Sequence, residues 1–382
     1  MRMQSKKKFV RISTVPSTLN VLLKNQLKFL NSHFEIIALS SFGNDLLEVR
    51  NREEVSIKVI NFKREISFFQ DLKSLLQTFI YFKSIKPEFI QSNTPKASLI
   101  SMIAGFFAGT KFRIYLVTGL RYETESGFKR RVLIFFEKVT SYFATHIIAE
   151  STGVKELLIS DNITSKEIEI IGNGNINGID LVYWDPALFS PEFLKGVKES
   201  LNIVDSYVFV FIGRLVGDKG INELVEVFQK LAAESKNKLK LLLVGDYEDT
   251  LDSLSLTTKN YILNNKDIVH LTFKEDVRKY LLVSNCLVLP SYREGFSNVS
   301  LQAGAMGLPV IITDVNGASD VIQNQVNGII IKKKNKSELY QTMKNFAENR
   351  FQFNSEAIRD IIKIKFSQEN YYKELLKYYN KL

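Results

Sequence analysis

Cysteine is nearly absent: the chain has one, Cys286, and only three histidines among 382 residues. A lone cysteine forms no internal disulfide, which excludes a small cross-linked scaffold and favours a reducing compartment. The Asn-x-Ser/Thr matches at Asn162, Asn298 and Asn335 are therefore read as chance. Long apolar runs are also missing. The longest candidates, such as LISMIAGFFAG at 99–109, fall short of the roughly 18 residues that span a bilayer. The basic start MRMQSKKKFVRIST is cut by Arg11 and polar residues, which argues against a secretory signal. No short-period repeat and no low-complexity segment suggests a solenoid or a disordered chain.

Hydrophobic residues make up 45% of the chain, enough for two domains of ordinary size, each with its own core. The net charge of +10 is uneven. Residues 1–180 hold 25 Lys and Arg against 17 Asp and Glu, net +8, whereas residues 181–382 hold 26 against 24, net +2. A basic first half suits an anionic partner or a solvated lysine-rich surface. Charge alone does not make a nucleic-acid binder, and no recognisable binding module accompanies it.

Short β-rich runs alternate with helix-length segments: FVRIST (9–14), FEIIALS (34–40), VSIKVIN (55–61), EFIQSN (88–93), RIYLVT (113–118), HIIAES (146–151) and EIEIIG (167–172). Between them lie TLNVLLKNQLKFLN and FQDLKSLLQTFIYFKSI, with apolar residues three and four apart. The Gly/Asn-rich NGNINGID (173–180) interrupts the alternation. It restarts with YVFVFIG, LKLLLVG, IVHLT, CLVLP and VIITD. The pattern predicts an α/β chain of two Rossmann-like domains facing a cleft, 1–172 and 186–365, joined by a linker at 173–185. Residues 366–382 are expected to form a closing helix that packs back on the first domain.

Two strand-to-helix handovers carry the candidate chemistry. In FIGRLVGDKGINELVEVF a strand ends at Gly213, a loop presents Arg214 and Lys219, and a helix begins near Gly220 or Ile221. Two cations beside a helix N-terminus suit a diphosphate, bound by guanidinium, ammonium and unpaired backbone N–H groups. An ordinary charged loop would read the same way. In PSYREGFSNVSLQAGAMGLP, Glu294 precedes Gly295, expected at a tight turn, and a helix starting near Ser297 or Asn298. The N–H groups from Phe296 to Val299 form a second anion site, and Gln302 leans toward the same ligand.

In this order, GRLVGDKGINELVEVF, VGD and LPSYREGFSNVSLQAGAMGLPVIITDVNGASDVI resemble the C-terminal domain of family-4 retaining glycosyltransferases of the GT-B fold. TPKASLISMIAGFFAG, GLRYETESGFKRR and IIAESTGVKELL are similar to bacterial surface-polysaccharide members. The resemblance implies that Arg214 and Lys219 hold the diphosphate of a nucleotide-sugar donor, a UDP-sugar by family habit. It implies that Glu294 contacts the donor sugar, with Gly213, Gly295, Phe296, Ser297, Asn298 and Val299 supporting sugar and phosphate. Gln302 stands where the family has its second acid, on the ribose; its carbonyl oxygen still accepts a hydroxyl, without the charge. Thr118–Gly119 stands where many members have His-Gly. His146 and His270, flanking apolar runs, are read as structural.

No cofactor and no metal is expected. DYED (246–249) lacks the pattern of an Asp-x-Asp metal motif, and cations with helix N-termini stabilise a departing diphosphate on their own. The acceptor is expected to be a saccharide, polyprenyl-diphosphate-linked, near Thr118, Gly119, Arg121, Lys129 and Arg130. The basic 129–131 segment beside VLIFF suggests docking on an anionic membrane face, in a cytoplasmic or peripheral protein of capsule, O-antigen or exopolysaccharide assembly. A nucleotide-sugar epimerase and a non-catalytic nucleotide-sugar-binding subunit on the same fold are the alternatives.

Overall fold

The protein is described by a computed structural model that covers residues 6–63, 67–248 and 252–382. The chain divides into two compact units, Met1–Gly178 with Glu369–Leu382, and Ile179–Gln368. The segment expected as a linker is shared between them: residues 173–178 fall in the first unit and 179–185 in the second.

In the first unit the strands are β1 (Lys8–Ile12), β2 (Glu35–Ser40), β3 (Ser56–Val59), β4 (Phe89–Ser92), β5 (Phe112–Val117), β6 (His146–Ala149) and β7 (Ile168–Glu169). They form one parallel sheet in the order β3-β2-β1-β4-β5-β6-β7. Its helices are α1 (Gln26–His33), α2 (Asn44–Glu53), α3 (Phe68–Ile85), α4 (Pro95–Ala108), α5 (Gly127–Phe143) and α6 (Thr152–Ser160). The single helix expected over 18–31 is broken. A π-type turn at Thr18–Leu22 is separated from α1 by Asn25, whose φ is +68°. The fully buried Glu53 fixes that break, accepting from the backbone N–H groups of Asn25 at 2.9 Å and Lys28 at 3.0 Å, and so capping α1 from outside.

The second unit contains α7 (Pro191–Ser200), β8 (Tyr207–Ile212), α8 (Ile221–Glu234), β9 (Leu239–Val244), α9 (Leu256–Asn264), β10 (Ile268–Leu271), α10 (Arg278–Leu282) and β11 (Cys286–Leu289). It continues with α11 (Asn298–Ala305), β12 (Val310–Thr313), α12 (Ala318–Val321), β13 (Gly328–Ile331), α13 (Lys336–Ala347) and α14 (Ser355–Phe366). Its parallel sheet runs β10-β9-β8-β11-β12-β13. β13, the short GIII run at the edge, was not among the expected strands. The central strands are apolar throughout because helices cover both faces, as parallel sheets require.

The last helix, α15 (Gln368–Lys381), belongs to the first unit, where Tyr371, Tyr372, Leu375, Tyr378 and Tyr379 enter the core. The Tyr379 ring meets Phe9 edge-on at 5.0 Å, and Tyr372 stacks on Phe29 at 4.6 Å.

Each sheet reverses its winding direction once, between β1 and β4 and between β8 and β11. Open α/β sheets bind ligands beyond the carboxyl ends of their strands at such a reversal. The loops after β8 and β11 therefore sit where a site is expected, and these are the loops with the candidate residues.

Candidate active site

β8 delivers its loop through a tightly packed corner. Gly213 and Gly245 both have strongly positive φ, +152° and +150°. A Cβ on Gly245 would lie 1.9 Å from the Gly213 carbonyl oxygen, so two strand ends meet where no side chain fits. Leu215 and Val216 then plunge into the core and pin the loop, leaving Arg214 on its exposed side. The loop closes with a short 3-10 turn, Gly217–Lys219, and Gly220 at φ +69° starts α8. A Cβ on Gly220 would fall 2.2 Å from the Pro290 carbonyl oxygen. The start of α8 is thus pressed directly against the exit of β11.

That exit supplies the acid. The Tyr292 N–H donates to the Asp218 carbonyl at 2.8 Å, and Arg293 lies 3.4 Å from the Asp218 carboxylate. The two loops are thereby tied together. Glu294 Oε1 accepts from Lys219 Nζ at 2.6 Å, and both side chains are more than four-fifths buried. Phe296 turns inward and packs edge-on against Phe366 at 5.8 Å. Ser297 caps α11, its hydroxyl oxygen accepting from the Ser300 N–H at 3.3 Å. The first turn of α11, at Asn298 and Val299, is therefore fixed, and its N-terminal N–H groups lie in the same strand-to-helix loop as Glu294.

The structure thus brings Lys219 and Glu294 into direct contact and sets Arg214 on the same loop as Lys219. Arg214 is paired with Glu248 rather than with Glu294. Gln302 lies in the second turn of α11 and is partly buried. Gly295 does not have the left-handed backbone expected of a turn glycine; Gly220 does, because the helix start must clear Pro290. Asp218, Gly220 and Glu248 were missed as site residues. The visible signal was the GDKG run, in which Asp218 and Gly220 flank Lys219. Nearby, burial and then Glu223 push the Tyr292 phenol well above its ordinary range, so it stays protonated. Ser291 is wholly buried, and its hydroxyl has no partner among the described residues.

In the first unit, Thr118 follows β5 and donates its hydroxyl proton to the Asn93 carbonyl at 2.8 Å. That hydroxyl can accept from a ligand, but its proton is engaged. At the β1/β4 reversal, the Thr14 N–H donates to Thr94 Oγ1 at 2.8 Å. Gly119, beside Thr118, has φ +96°. Arg121 is exposed, Lys129 pairs with Glu125 at 2.6 Å, and Arg130 pairs with Asp161 at 3.0 Å. His146 bonds Thr145 and His270 bonds the Gly245 carbonyl, each at 2.9 Å. Of the DYED run, Asp246 accepts from the Phe273 N–H at 3.0 Å, and Asp249 lies outside the described residues.

Two units, each built on a parallel sheet of Rossmann-like strand order, have the architecture of the GT-B fold. The chain matches a solved structure of Anabaena Alr3699/HepE in complex with UDP-glucose at TM-score 0.80, with 16% identity, over 98% of this chain and 100% of that one. Residues 196–365 match the family described as "Glycosyl transferases group 1". The chain is 34% identical over 369 residues to the capsular polysaccharide biosynthesis glycosyltransferase CapM of Staphylococcus aureus, covering 94% of this chain and 93% of that one. It is 26% identical over 314 residues to the Escherichia coli UDP-Gal:alpha-D-GlcNAc-diphosphoundecaprenol alpha-1,3-galactosyltransferase, covering 79% and 77%. The chain belongs to the group 1 glycosyltransferases and is an enzyme of that class.

Proposed function

We propose that this chain is a family-4, retaining, metal-independent glycosyltransferase that moves a hexosyl group from a UDP-sugar to a polyprenyl-diphosphate-linked saccharide in surface-polysaccharide assembly. The observation that carries the reading is the meeting of Lys219 and Glu294 at the β8/β11 switch point, with Arg214 on the same loop. The UDP-sugar and the lipid-linked acceptor are supported by the E. coli relative, whose name gives both, and the polysaccharide setting by CapM.

The diphosphate takes Lys219, Arg214 and the α11 N-terminus, while Glu294, released from Lys219, accepts from hydroxyls of the transferred sugar. As the bond from the anomeric carbon to the diphosphate breaks, negative charge grows on the leaving oxygen against fixed cations and N–H groups. The acceptor hydroxyl oxygen bonds to the anomeric carbon on the face the diphosphate leaves, and its proton passes to the departing diphosphate. Thr118, Gly119, Arg121, Lys129 and Arg130 are the candidates for acceptor contacts. Lys129 and Arg130 would have to exchange present carboxylate partners to make them.

A thermal-shift panel with UDP, GDP, ADP and CDP tests the donor site. A nucleotide at a hundred times its Kd adds about 2.7 kcal/mol of stability. Selective stabilisation by UDP, abolished in Arg214→Ala/Lys219→Ala, is expected. A shift retained by that folded double variant overturns the site assignment. The anomeric configuration of the product by NMR tests retention, and activity after chelation tests metal independence.

A further inference from the structure

Lys219 is the last residue of the 3-10 turn Gly217–Lys219, and so short a turn has little stability of its own. Two backbone bonds close it. The Lys219 N–H donates to the Val216 carbonyl at 3.3 Å, and the Gly220 N–H to the Gly217 carbonyl at 2.9 Å. Val216, at the position where a serine, threonine or aspartate would cap the turn, is apolar and buried. The first N–H groups of the turn therefore need an acceptor from elsewhere in the chain.

Asp252, in the segment between β9 and α9, supplies it. Its backbone carbonyl accepts from the Gly217 N–H at 3.2 Å, and its carboxylate Oδ2 accepts from the Asp218 N–H at 2.5 Å. A Cβ on Gly217 would lie 2.6 Å from Asp252 Oδ1, so the carboxylate rests against the turn where only glycine leaves room. Three residues on, the Ser255 N–H donates to Asn222 Oδ1 at 3.1 Å, which ties the same segment to the first turn of α8. The loop after β11 holds the turn as well: the Asp218 carbonyl accepts from the Tyr292 N–H at 2.8 Å, and the Asp218 carboxylate meets Arg293 at 3.4 Å. Lys219 is thus carried on a turn that two other loops fix.

We propose that Asp252 is a positioning residue for Lys219, acting through the Gly217–Lys219 turn and not on the donor itself. Its carbonyl and carboxylate engage the protons of the Gly217 and Asp218 N–H groups, so neither is offered to a phosphate oxygen. On this loop the diphosphate relies on side chains. A lysine ammonium is a point charge on a flexible stem, and the affinity it gives depends on how far its starting point is fixed in advance. Without the carboxylate the Asp218 N–H loses its acceptor, the turn loosens, and Lys219 leaves it in a less defined direction. Asp252 is itself exposed, so its substitution opens no cavity in the core. The inference rests on the reading of Lys219 as a diphosphate ligand.

The test is a double-mutant cycle on the full chain, with Asp252→Ala, Lys219→Ala and both changes together. Affinity is read by titration calorimetry with UDP, or with whichever of GDP, ADP and CDP the wild type binds. Asp252→Ala is expected to weaken the nucleotide about fivefold when Lys219 is present and by less than about 1.5-fold when it is not, because a residue that acts through Lys219 then has nothing to act on. Asp252→Asn, which keeps an oxygen acceptor, should stay within about twofold of wild type. Gly217→Ala, whose methyl displaces the carboxylate without removing it, should reproduce the loss, and it takes the place of Asp252→Ala in the cycle if that variant does not fold. Equal losses with and without Lys219 would make Asp252 a structural residue only and overturn the proposal. So would tighter binding by Asp252→Ala, which would mean that the carboxylate opposes the phosphate. A wild type that binds none of the four nucleotides, or binding that Lys219→Ala leaves unchanged, overturns the donor-site reading together with this inference. Binding that Lys219→Ala weakens and Asp252→Ala does not overturns this inference alone.

Discussion

Glu294→Gln should tighten UDP binding while it abolishes turnover. In the free protein, Glu294 neutralises Lys219 across 2.6 Å, with side-chain exposures of only 17% and 19%. An arriving diphosphate must take Lys219 from a carboxylate that then stands close by as a second anion. At an effective dielectric near 20, two unit charges about 5 Å apart interact by about 3 kcal/mol. Solvent, and the sharing of Lys219 between two anions, reduce the net competition to about 1.4 kcal/mol, or tenfold in Kd. Titration calorimetry at fixed low salt should therefore show UDP bound about tenfold tighter by Glu294→Gln, with kcat at least 100-fold lower, about what removal of a transition-state contact costs. Arg214 supplies the internal control. Its partner Glu248 leaves it 56% exposed, so screening makes Glu248→Gln worth at most about 1 kcal/mol and sensitive to salt. Unchanged or weaker UDP binding by a folded Glu294→Gln would refute the competition argument and mean that the carboxylate orients Lys219 toward the phosphate.

Gly220→Ala places a Cβ 2.2 Å from the Pro290 carbonyl oxygen at a φ of +69°, so α8 must shift and carry Lys219 with it. A melting experiment should show a loss of about 2–4 kcal/mol, with weakened UDP binding. Burial pushes the Glu137 carboxyl up to about 7 from an ordinary 4.5, against a hydrogen bond from the Tyr115 hydroxyl that lowers it. The folded state therefore holds the extra proton between those values: the contribution is complete below pH 4.5 and is lost as pH rises through about 7. That amounts to about 3 kcal/mol, and Glu137→Gln should flatten the decline in melting temperature across that window. Gln302→Glu should tighten UDP about fivefold by adding charge to a ribose hydrogen bond, and should give no gain with 2′,3′-dideoxy-UDP. Residues 179–368 expressed alone should unfold cooperatively and bind UDP within about threefold of the full chain, a ratio worth about 0.7 kcal/mol; a non-cooperative melt would show that this unit needs the rest of the chain.

The sheets were legible because parallel strands covered on both faces leave runs such as VFVFI and LKLLLV that nothing else explains. The two site loops were legible because breakers and charges stand at fixed offsets from those runs. The pairing was less so. Sequence placed Arg214 and Lys219 together as cations but could not show that Lys219 faces Glu294 while Arg214 faces Glu248, since those partners are 75 and 34 positions away. Gly295 looked like the turn residue and Gly220 did not, because the need for a left-handed residue at 220 comes from Pro290, in another loop. In α3, three- and four-residue spacing identified the helix correctly. Spacing cannot say which of its apolar residues are covered: Phe82 is buried and Leu75 and Phe79 pack against the core, whereas Phe69, Leu72, Leu76 and Ile80 stay exposed.

The second unit is best understood as an insertion into the first. Ile179 and Ser367 are bridged in parallel, the Ile179 N–H donates to the Phe366 carbonyl at 2.8 Å, and the Gln368 N–H donates to the Ile179 carbonyl at 2.9 Å. Entry and exit of residues 179–368 are thus clasped at one point, the arrangement that lets an inserted domain fold without disturbing its host. The host closes its own core only when α15 returns: Tyr379 packs among Phe9, Phe34 and Phe89, and its hydroxyl donates to Gln91. The Tyr372 hydroxyl reaches Asn177 at 3.1 Å, so the segment leaving the first unit is secured by the helix that re-enters it. The Gly/Asn-rich 173–178 segment is therefore packed into the first unit: Asn175 and Asn177 are buried, and Asn175 Oδ1 accepts from the N–H groups of Asn177 and Gly178 at 2.9 Å. Composition marked the place where the chain leaves the first unit, but the buried hydrogen bonds there make it a structural seam of that unit.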